Sequence, residues 1–248
     1  MLFTGMNARL GGLAMLVLLM CTQPITAHAV ADIVGGVSLG QTRVVFLSTD
    51  KAQSLMVKNT DSRAYLIQSH VESPVDETVP STFVVTPPLF LLKPDSRQLL
   101  RILPPAASLP TDRESLFYLS IIAIPSQEDK GKTSAQVSMG LRFMLKLFYR
   151  PAALEIMPAS AVCALRFHRE RQGIRVDNPT PYFQTLGQLT FNRAPVNLHI
   201  QPSMLNPMSS HLYPASDVVK HIKWQVITDY GSLSESCQQT LEATKKTP

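Results

Sequence analysis

Charged residues are scarce in this chain: Asp, Glu, Lys and Arg make up 17% of its 248 residues, against 45% apolar. That balance permits a buried core and excludes global disorder. The net charge of +5 is scattered rather than clustered, so a nucleic-acid surface finds no support even at a pI near 9.2. Catalytic signatures are missing as well: there is no G-x-S-x-G elbow, no H-E-x-x-H and no P-loop. C-x-x-C is also absent, which excludes a zinc knuckle and a thioredoxin-like redox site. Ser69 and His70 are adjacent, but neighbouring side chains of a strand point to opposite faces and cannot form a nucleophile and base pair. His168-x-Glu170 lacks the P-C-x-x-C partner that a zinc deaminase needs. No catalytic residue, metal, cofactor, small-molecule substrate or nucleic acid is expected. Repeats and low-complexity segments are absent too.

One apolar run stands apart, Leu10 to Met20, preceded by Arg9 and followed by small residues at Ala27 and Ala29. It is too short to span a bilayer, which needs about 20 residues, and it has the form of an export leader. Cleavage after residue 29 or residue 31 fits the small-residue rule. Cys21 follows Met20 instead of the small residue that precedes a lipidated cysteine, so an exported protein without a lipid anchor is expected. Removal of the leader leaves Cys163 and Cys237, which in an oxidising compartment form either a disulfide or two buried free thiols.

Helical periodicity is hard to find, whereas short β-rich runs bounded by Pro, Gly, Asn and Ser recur along the chain. Seven lie between Gly36 and Pro151, and four more follow from Cys163 to Gly231. This spacing predicts an all-β protein of two immunoglobulin-like sandwiches, an N-terminal domain over 32–152 and a smaller C-terminal domain over 157–241, with a polar tail at 242–248. The 19 prolines sit mostly at run ends, as strand edges and turns require.

A set of charged residues interrupts the apolar runs, among them Arg43 in "QTRVVF", Glu114 in "PTDRESLFYL", Lys146 and Arg150 in "MLKLFYRP", and Asp229 in "ITDYGS". Together with their surroundings they carry a resemblance. "GVSLGQTRVVF", "YLIQS", "TPPLFLLKP", "LPTDRESLFYLSIIAIPS", "LKLFYRPAAL", "DNPTPYF" and "TDYGS" resemble, in order, the signature blocks of the periplasmic pilus-assembly chaperones of the chaperone–usher family. The resemblance implies two immunoglobulin-like domains set in an L, and a protein that delivers pilus subunits to an outer-membrane usher. It implies that the segment Gln136 to Lys146 is lent as a β-strand to a subunit whose own fold lacks one. Alternation puts Val137, Met139 and Leu141 on one face, and the resemblance makes these three the donor residues.

The same resemblance makes Arg43 and Lys146 the anchor for the subunit's C-terminal carboxylate, and Glu114, Arg150 and Asp229 an interdomain salt bridge. It places Pro87 and Arg101 on the usher-facing surface. Two departures touch that surface: Ala64 stands where some members carry proline, and His70 where tryptophan is common. The short stretch between Pro125 and Lys146 resembles the subclass that assembles rod-like pili. When free, such a chaperone can cap itself as a dimer or oligomer. Without the resemblance, the residues also allow an exported structural or adhesive immunoglobulin-like protein. One geometric conflict is open: strict alternation puts Lys146 on the face opposite Val137 and Leu141, which a bulge, a strong twist or a change of surroundings beyond the donor segment would resolve.

Overall fold

The computed structural model describes residues 35–74, 83–126, 139–215 and 218–242. The leader, the donor residue Val137 and all of the tail beyond Glu242 lie outside the described residues.

Nine strands form the first half: β1 (Val37–Leu39), β2 (Arg43–Leu47), β3 (Gln53–Asn59), β4 (Tyr65–Glu72), β5 (Val84–Thr86), β6 (Leu89–Leu92), β7 (Arg97–Leu103), β8 (Ser115–Pro125) and β9 (Leu141–Arg150). They divide into a four-stranded sheet, β1-β3-β7-β5, and a five-stranded sheet, β2-β9-β8-β4-β6. The run from Gly36 to Phe46, which reads as one strand, is two. β1 pairs with β3 in the first sheet, and after Gly40 to Thr42 the chain crosses over to pair β2 parallel with β9 in the second. Alternation then decides the interior. Val44, Phe46, Leu55, Val57, Ile67, Leu100, Ile102, Leu119, Ile121, Leu145 and Leu147 point between the sheets and form one buried cluster. Each such side chain contributes about 1.5–3 kcal/mol of transfer free energy.

The pairing of β8 with β9 runs in unbroken register from Ser115↔Tyr149 to Ala123↔Leu141. No bulge interrupts β9, so the bulge offered as a way to turn Lys146 is corrected. Odd-numbered residues of β9 face the core side, and Arg142, Met144, Lys146, Phe148 and Arg150 face outward.

The second half begins with one short helix, α1 (Pro158–Ala161), and continues through β10 (Arg166–Glu170), β11 (Gly173–Asn178), β12 (Gln184–Phe191), β13 (Ala194–Pro195), β14 (Met204–Leu205), β15 (Ser209–Pro214), β16 (His221–Val226) and β17 (Cys237–Thr240). β10-β11-β15 makes one sheet and β13-β12-β16-β17, with β14 on β12, the other. Their inner faces bury a separate cluster around Phe167, Val176, Leu186, Tyr213 and Trp224. Cys163 and Cys237 are joined by a disulfide, with Cα atoms 5.4 Å apart. It ties the entry of this domain to its last strand, across a sequence separation of 74 residues, and closing a loop of that size stabilises by about 4 kcal/mol on the chain-entropy account. Trp224 pairs directly with Cys237 across β16 and β17 and packs on Phe167 at 4.6 Å, so the Cys237 end of the bond is buried in the core while Cys163 is exposed.

Candidate functional site

The outward face of the five-stranded sheet meets the second core's domain. Phe148 packs on Phe183 at 5.6 Å between ring centroids, and the backbone N–H of Glu114 donates to the carbonyl of Pro181 at 2.9 Å. The block "DNPTPYF" is held in shape for this by Asn178. Its side-chain amide donates to the carbonyls of Tyr182 and Asn206, and its oxygen accepts from Thr180.

On this seam Arg150 bridges two carboxylates. Its Nε donates to Glu114 Oε1 at 2.7 Å, while Nη1 and Nη2 reach Asp229 at 2.7 and 2.8 Å in a bidentate fork. The guanidinium also lies 5.0 Å from the Tyr182 ring. Glu114 is 4% exposed, and its second oxygen accepts the backbone N–H of Phe183 at 2.9 Å. Burial pushes the Glu114 carboxyl up against the opposing pull of Arg150. Burial alone would lower Arg150, but hydrogen bonds and charge from Asp229 and Glu114 outweigh it and hold the guanidinium above its ordinary value. These two directions compete over the proton on Glu114. The ionised pair is the one the geometry serves, because both Glu114 oxygens accept from donors and a proton there would displace one of them. Every charge in this trio is therefore answered from within the chain.

Arg43 and Lys146 sit side by side on one rung of the parallel pair β2 and β9, and nothing answers them in the same way. Arg43 Nη1 donates to the carbonyl of Ile227 at 3.1 Å, and its Cζ lies 5.9 Å from the Phe148 ring. Lys146 Nζ makes one long hydrogen bond, to Thr185 Oγ1 at 3.4 Å. Neither cation has a carboxylate partner among the described residues. Burial, aided by the neighbouring Arg43, pushes the Lys146 ammonium down to about 8, and burial also lowers Arg43. Two cations, half-buried and adjacent, repel each other and favour an anion between them. The turn of the second domain closes against this spot. Gly231 has φ +82°, and a Cβ there would lie 2.3 Å from Thr42 Oγ1, so only glycine fits where the two domains touch beside Arg43.

The rung is also where an edge opens. β2 begins at Arg43 opposite Lys146, so the preceding stretch of β9, Leu141 to Leu145, pairs with β8 on one side and with no described strand on the other. Past the end of the core, its odd-numbered face stays bare: Leu141 is 45% exposed and Met139 76%. Thr185 and Ile227, which complete the surroundings of the cations, were not identified from the sequence. One is a threonine on a distant strand and the other contributes only a carbonyl, which no residue pattern reveals.

Pro87 and Arg101 lie elsewhere. Pro87 follows a cis bond from Thr86, which pairs with Arg101 on β7, and its carbonyl accepts from the Ser69 hydroxyl at 3.0 Å. Beside this turn runs a cross-strand row of apolar side chains, Ile124, Leu66 and Leu91, 42%, 40% and 59% exposed.

Comparison with known proteins matches both halves of the chain to one family. Residues 36–155 match the family described as the pili and flagellar-assembly chaperone, PapD N-terminal domain, and residues 160–238 match the pili assembly chaperone PapD, C-terminal domain. The chain is 37% identical to chaperone protein FimC of Escherichia coli K12 over 209 residues, covering 84% of this chain and 85% of FimC. Among solved structures, E. coli chaperone DraB superposes with a TM-score of 0.73 at 34% identity, covering 84% of this chain and 98% of DraB. A chain from the complex of the Salmonella enterica SafA pilin with the SafB chaperone gives 0.74 at 29% identity, covering 83% and 96%. Two immunoglobulin-like sandwiches, joined through a charged seam and matched along both halves, place this chain in the pilus-assembly chaperones of the chaperone–usher family.

Proposed function

We propose that the chain is a periplasmic chaperone that caps pilus subunits by lending them the edge of β9, and that it hands them to an outer-membrane usher. The observation that carries this is the position of two unanswered cations, Arg43 and Lys146, at the point where that edge becomes free. A subunit's terminal carboxylate held there lies in the lane that β2 enters at Arg43. The subunit's last strand then runs beside Leu141 to Leu145 with its end at Lys146, parallel to β9. Ladder hydrogen bonds along this edge are indifferent to sequence, so one chaperone can serve several subunits. The bare odd-numbered face, Met139 and Leu141, extends the core side beyond the chaperone's own core and supplies apolar filling for a subunit groove. Methionine suits a groove that differs between clients. Placing the carboxylate on the outward face and the filling residues on the other uses strict alternation and needs no bulge.

Co-expression with a pilus subunit is expected to yield a soluble 1:1 complex whose affinity depends on pH in one direction. The Lys146 ammonium is about 8 in the free chain, and a bound carboxylate raises it. Capture is therefore at full strength below about pH 8 and weakens above it, by up to tenfold per pH unit until the bound-state value is passed. Affinity that is flat from pH 7 to 10 would remove Lys146 from the anchor.

The apolar row Ile124, Leu66 and Leu91 beside Pro87 supports an usher-facing role for this surface, since a contiguous exposed apolar patch favours a protein partner. Leu66→Asp is expected to leave subunit capture intact while delivery, read as usher-dependent surface assembly, fails. Loss of capture in the same variant would assign the row to the subunit instead.

A further inference from the structure

Between the cation rung and Gly140, the outward face of β9 carries two more side chains, Met144 and Arg142. Arg142 is tethered from behind. Its Nε donates to Ser120 Oγ at 2.9 Å and its Nη2 to Glu72 Oε1, while its Nη1 makes no hydrogen bond among the described residues. Glu72 has a second partner, because the Nε2 of His70 lies 2.6 Å from the same carboxylate oxygen. This cluster spans β4, β8 and β9 and is partly open to solvent, with the Arg142 side chain 47% exposed.

We infer that Arg142 selects among subunits by taking an acidic side chain from the subunit's terminal strand, a reading that rests on capture along the free edge of β9. Distance decides the sign. The subunit strand would lie one strand spacing, about 4.8 Å, from the β9 backbone at Arg142, whereas the backbone of Glu72 is two strands further in, about 10 Å from β9. The guanidinium thus belongs to the strand next to the client, and the carboxylate that holds it belongs to a strand further in. The tether presents it with one side occupied and Nη1 left for an outside acceptor. When a client carboxylate shares the guanidinium, Glu72 keeps His70 and is not left alone. Met144, 53% exposed, and Ile122, opposite Arg142 on β8, flank the site with apolar surface that sharpens a charge-assisted contact. Register fixes the place. Arg142 lies four residues before the rung that holds the chain end, so it faces the fourth or fifth residue from the client's C-terminus.

The test uses the mature chain and fluorescein-labelled alternating valine–serine peptides of twelve residues with a free C-terminus. Single Asp or Lys substitutions are placed at each of the last six positions, and affinity is read by anisotropy. Asp at the fourth or fifth position from the end is expected to tighten binding about three- to tenfold, in the range of a partly exposed charge pair. Arg142→Ala is expected to abolish that gain, Arg142→Lys to keep part of it, and Arg142→Glu to transfer the preference to Lys at the same position. A gain that survives Arg142→Ala, a preference for Lys in the wild type, or no position-dependent gain overturns the inference. Amidation of the peptide's C-terminus separates the two readings. If amidation weakens binding but Asp does nothing, selection by Arg142 fails alone, and if amidation has no effect, the capture reading fails with it.

Discussion

Lys146→Met is expected to raise the stability of the free chaperone and to abolish subunit capture at the same time. Burial holds the folded-state ammonium at about 8, below the value of 10.5 that an exposed lysine keeps. The charged form is thus disfavoured by folding, and the burden is fully present below about pH 8. It is relieved as the pH rises from about 8 to about 10.5, where the folded chain has lost a proton that the unfolded chain still holds. Discounted for the solvent that reaches this half-buried side chain, removing it should gain on the order of 1–2 kcal/mol at pH 7. In a chain of this size that is a rise of roughly 3–6 °C in Tm. The wild type should also gain stability between pH 8 and 10, and the variant should not. Thermal melts across that range check both statements. A variant that melts below the wild type would mean that Lys146 is answered from within the chain, contrary to its single long bond to Thr185. Functional groups held in an unfavourable state often cost stability in this way.

Arg150→Met should do the reverse. Removing the guanidinium leaves Glu114, 4% exposed, with only the Phe183 N–H for company, and stranding a buried charge costs about 3–5 kcal/mol. Asp229→Asn should cost less, roughly 1 kcal/mol, because the Asp229 side chain is 39% exposed and water replaces part of what is lost. Glu114→Gln added to Arg150→Met should recover much of the loss, since it removes the stranded charge. The chain's single tryptophan makes the measurement selective. Trp224 is buried in the second core, so its fluorescence in urea follows that domain while circular dichroism follows both. Coincident transitions are expected in the wild type and separated ones in Arg150→Met. Equal losses for Arg150→Met and Lys146→Met would contradict the division between a structural and a binding cation.

The strands and the faces of their side chains were legible in the residues because alternation is a strong signal, whereas the roles of the charged residues came from the resemblance to the pilus-assembly chaperones. Val44 and Phe46 alternate with Arg43 and Val45, and Leu145 and Leu147 alternate with Lys146, so the face each cation takes follows from its neighbours. What alternation could not supply is the partner across space. Arg43 meets Ile227 across 184 residues and Lys146 meets Thr185 across 39, contacts set by how the second domain docks and not by any local pattern. The crossing of the first strand between sheets was hidden for a related reason: "GVSLGQTRVVF" is uniformly strand-like, and only the pairing of Val37 with Asn59 and of Arg43 with Lys146 divides it. Cys163 and Cys237 left bonded and free states open, and the structure joins them, because both flank the edge of β16 at Trp224. The tether of Arg142 by Glu72, 70 residues away and two strands over, has no sequence signature at all.

The central claim is that Arg43 and Lys146 hold a subunit's terminal carboxylate, and it is tested most directly by one comparison. A pilus-subunit terminal-strand peptide is measured for binding with its C-terminus free and with it amidated, on the wild type and on Lys146→Met. Amidation removes the charge and leaves every other contact in place, so the wild type should lose about thirtyfold or more in affinity, as expected for a charge-assisted contact in a partly desolvated cleft. Lys146→Met should bind both peptides weakly, with little difference between them. Equal affinity of the wild type for the free and amidated peptides would contradict the account.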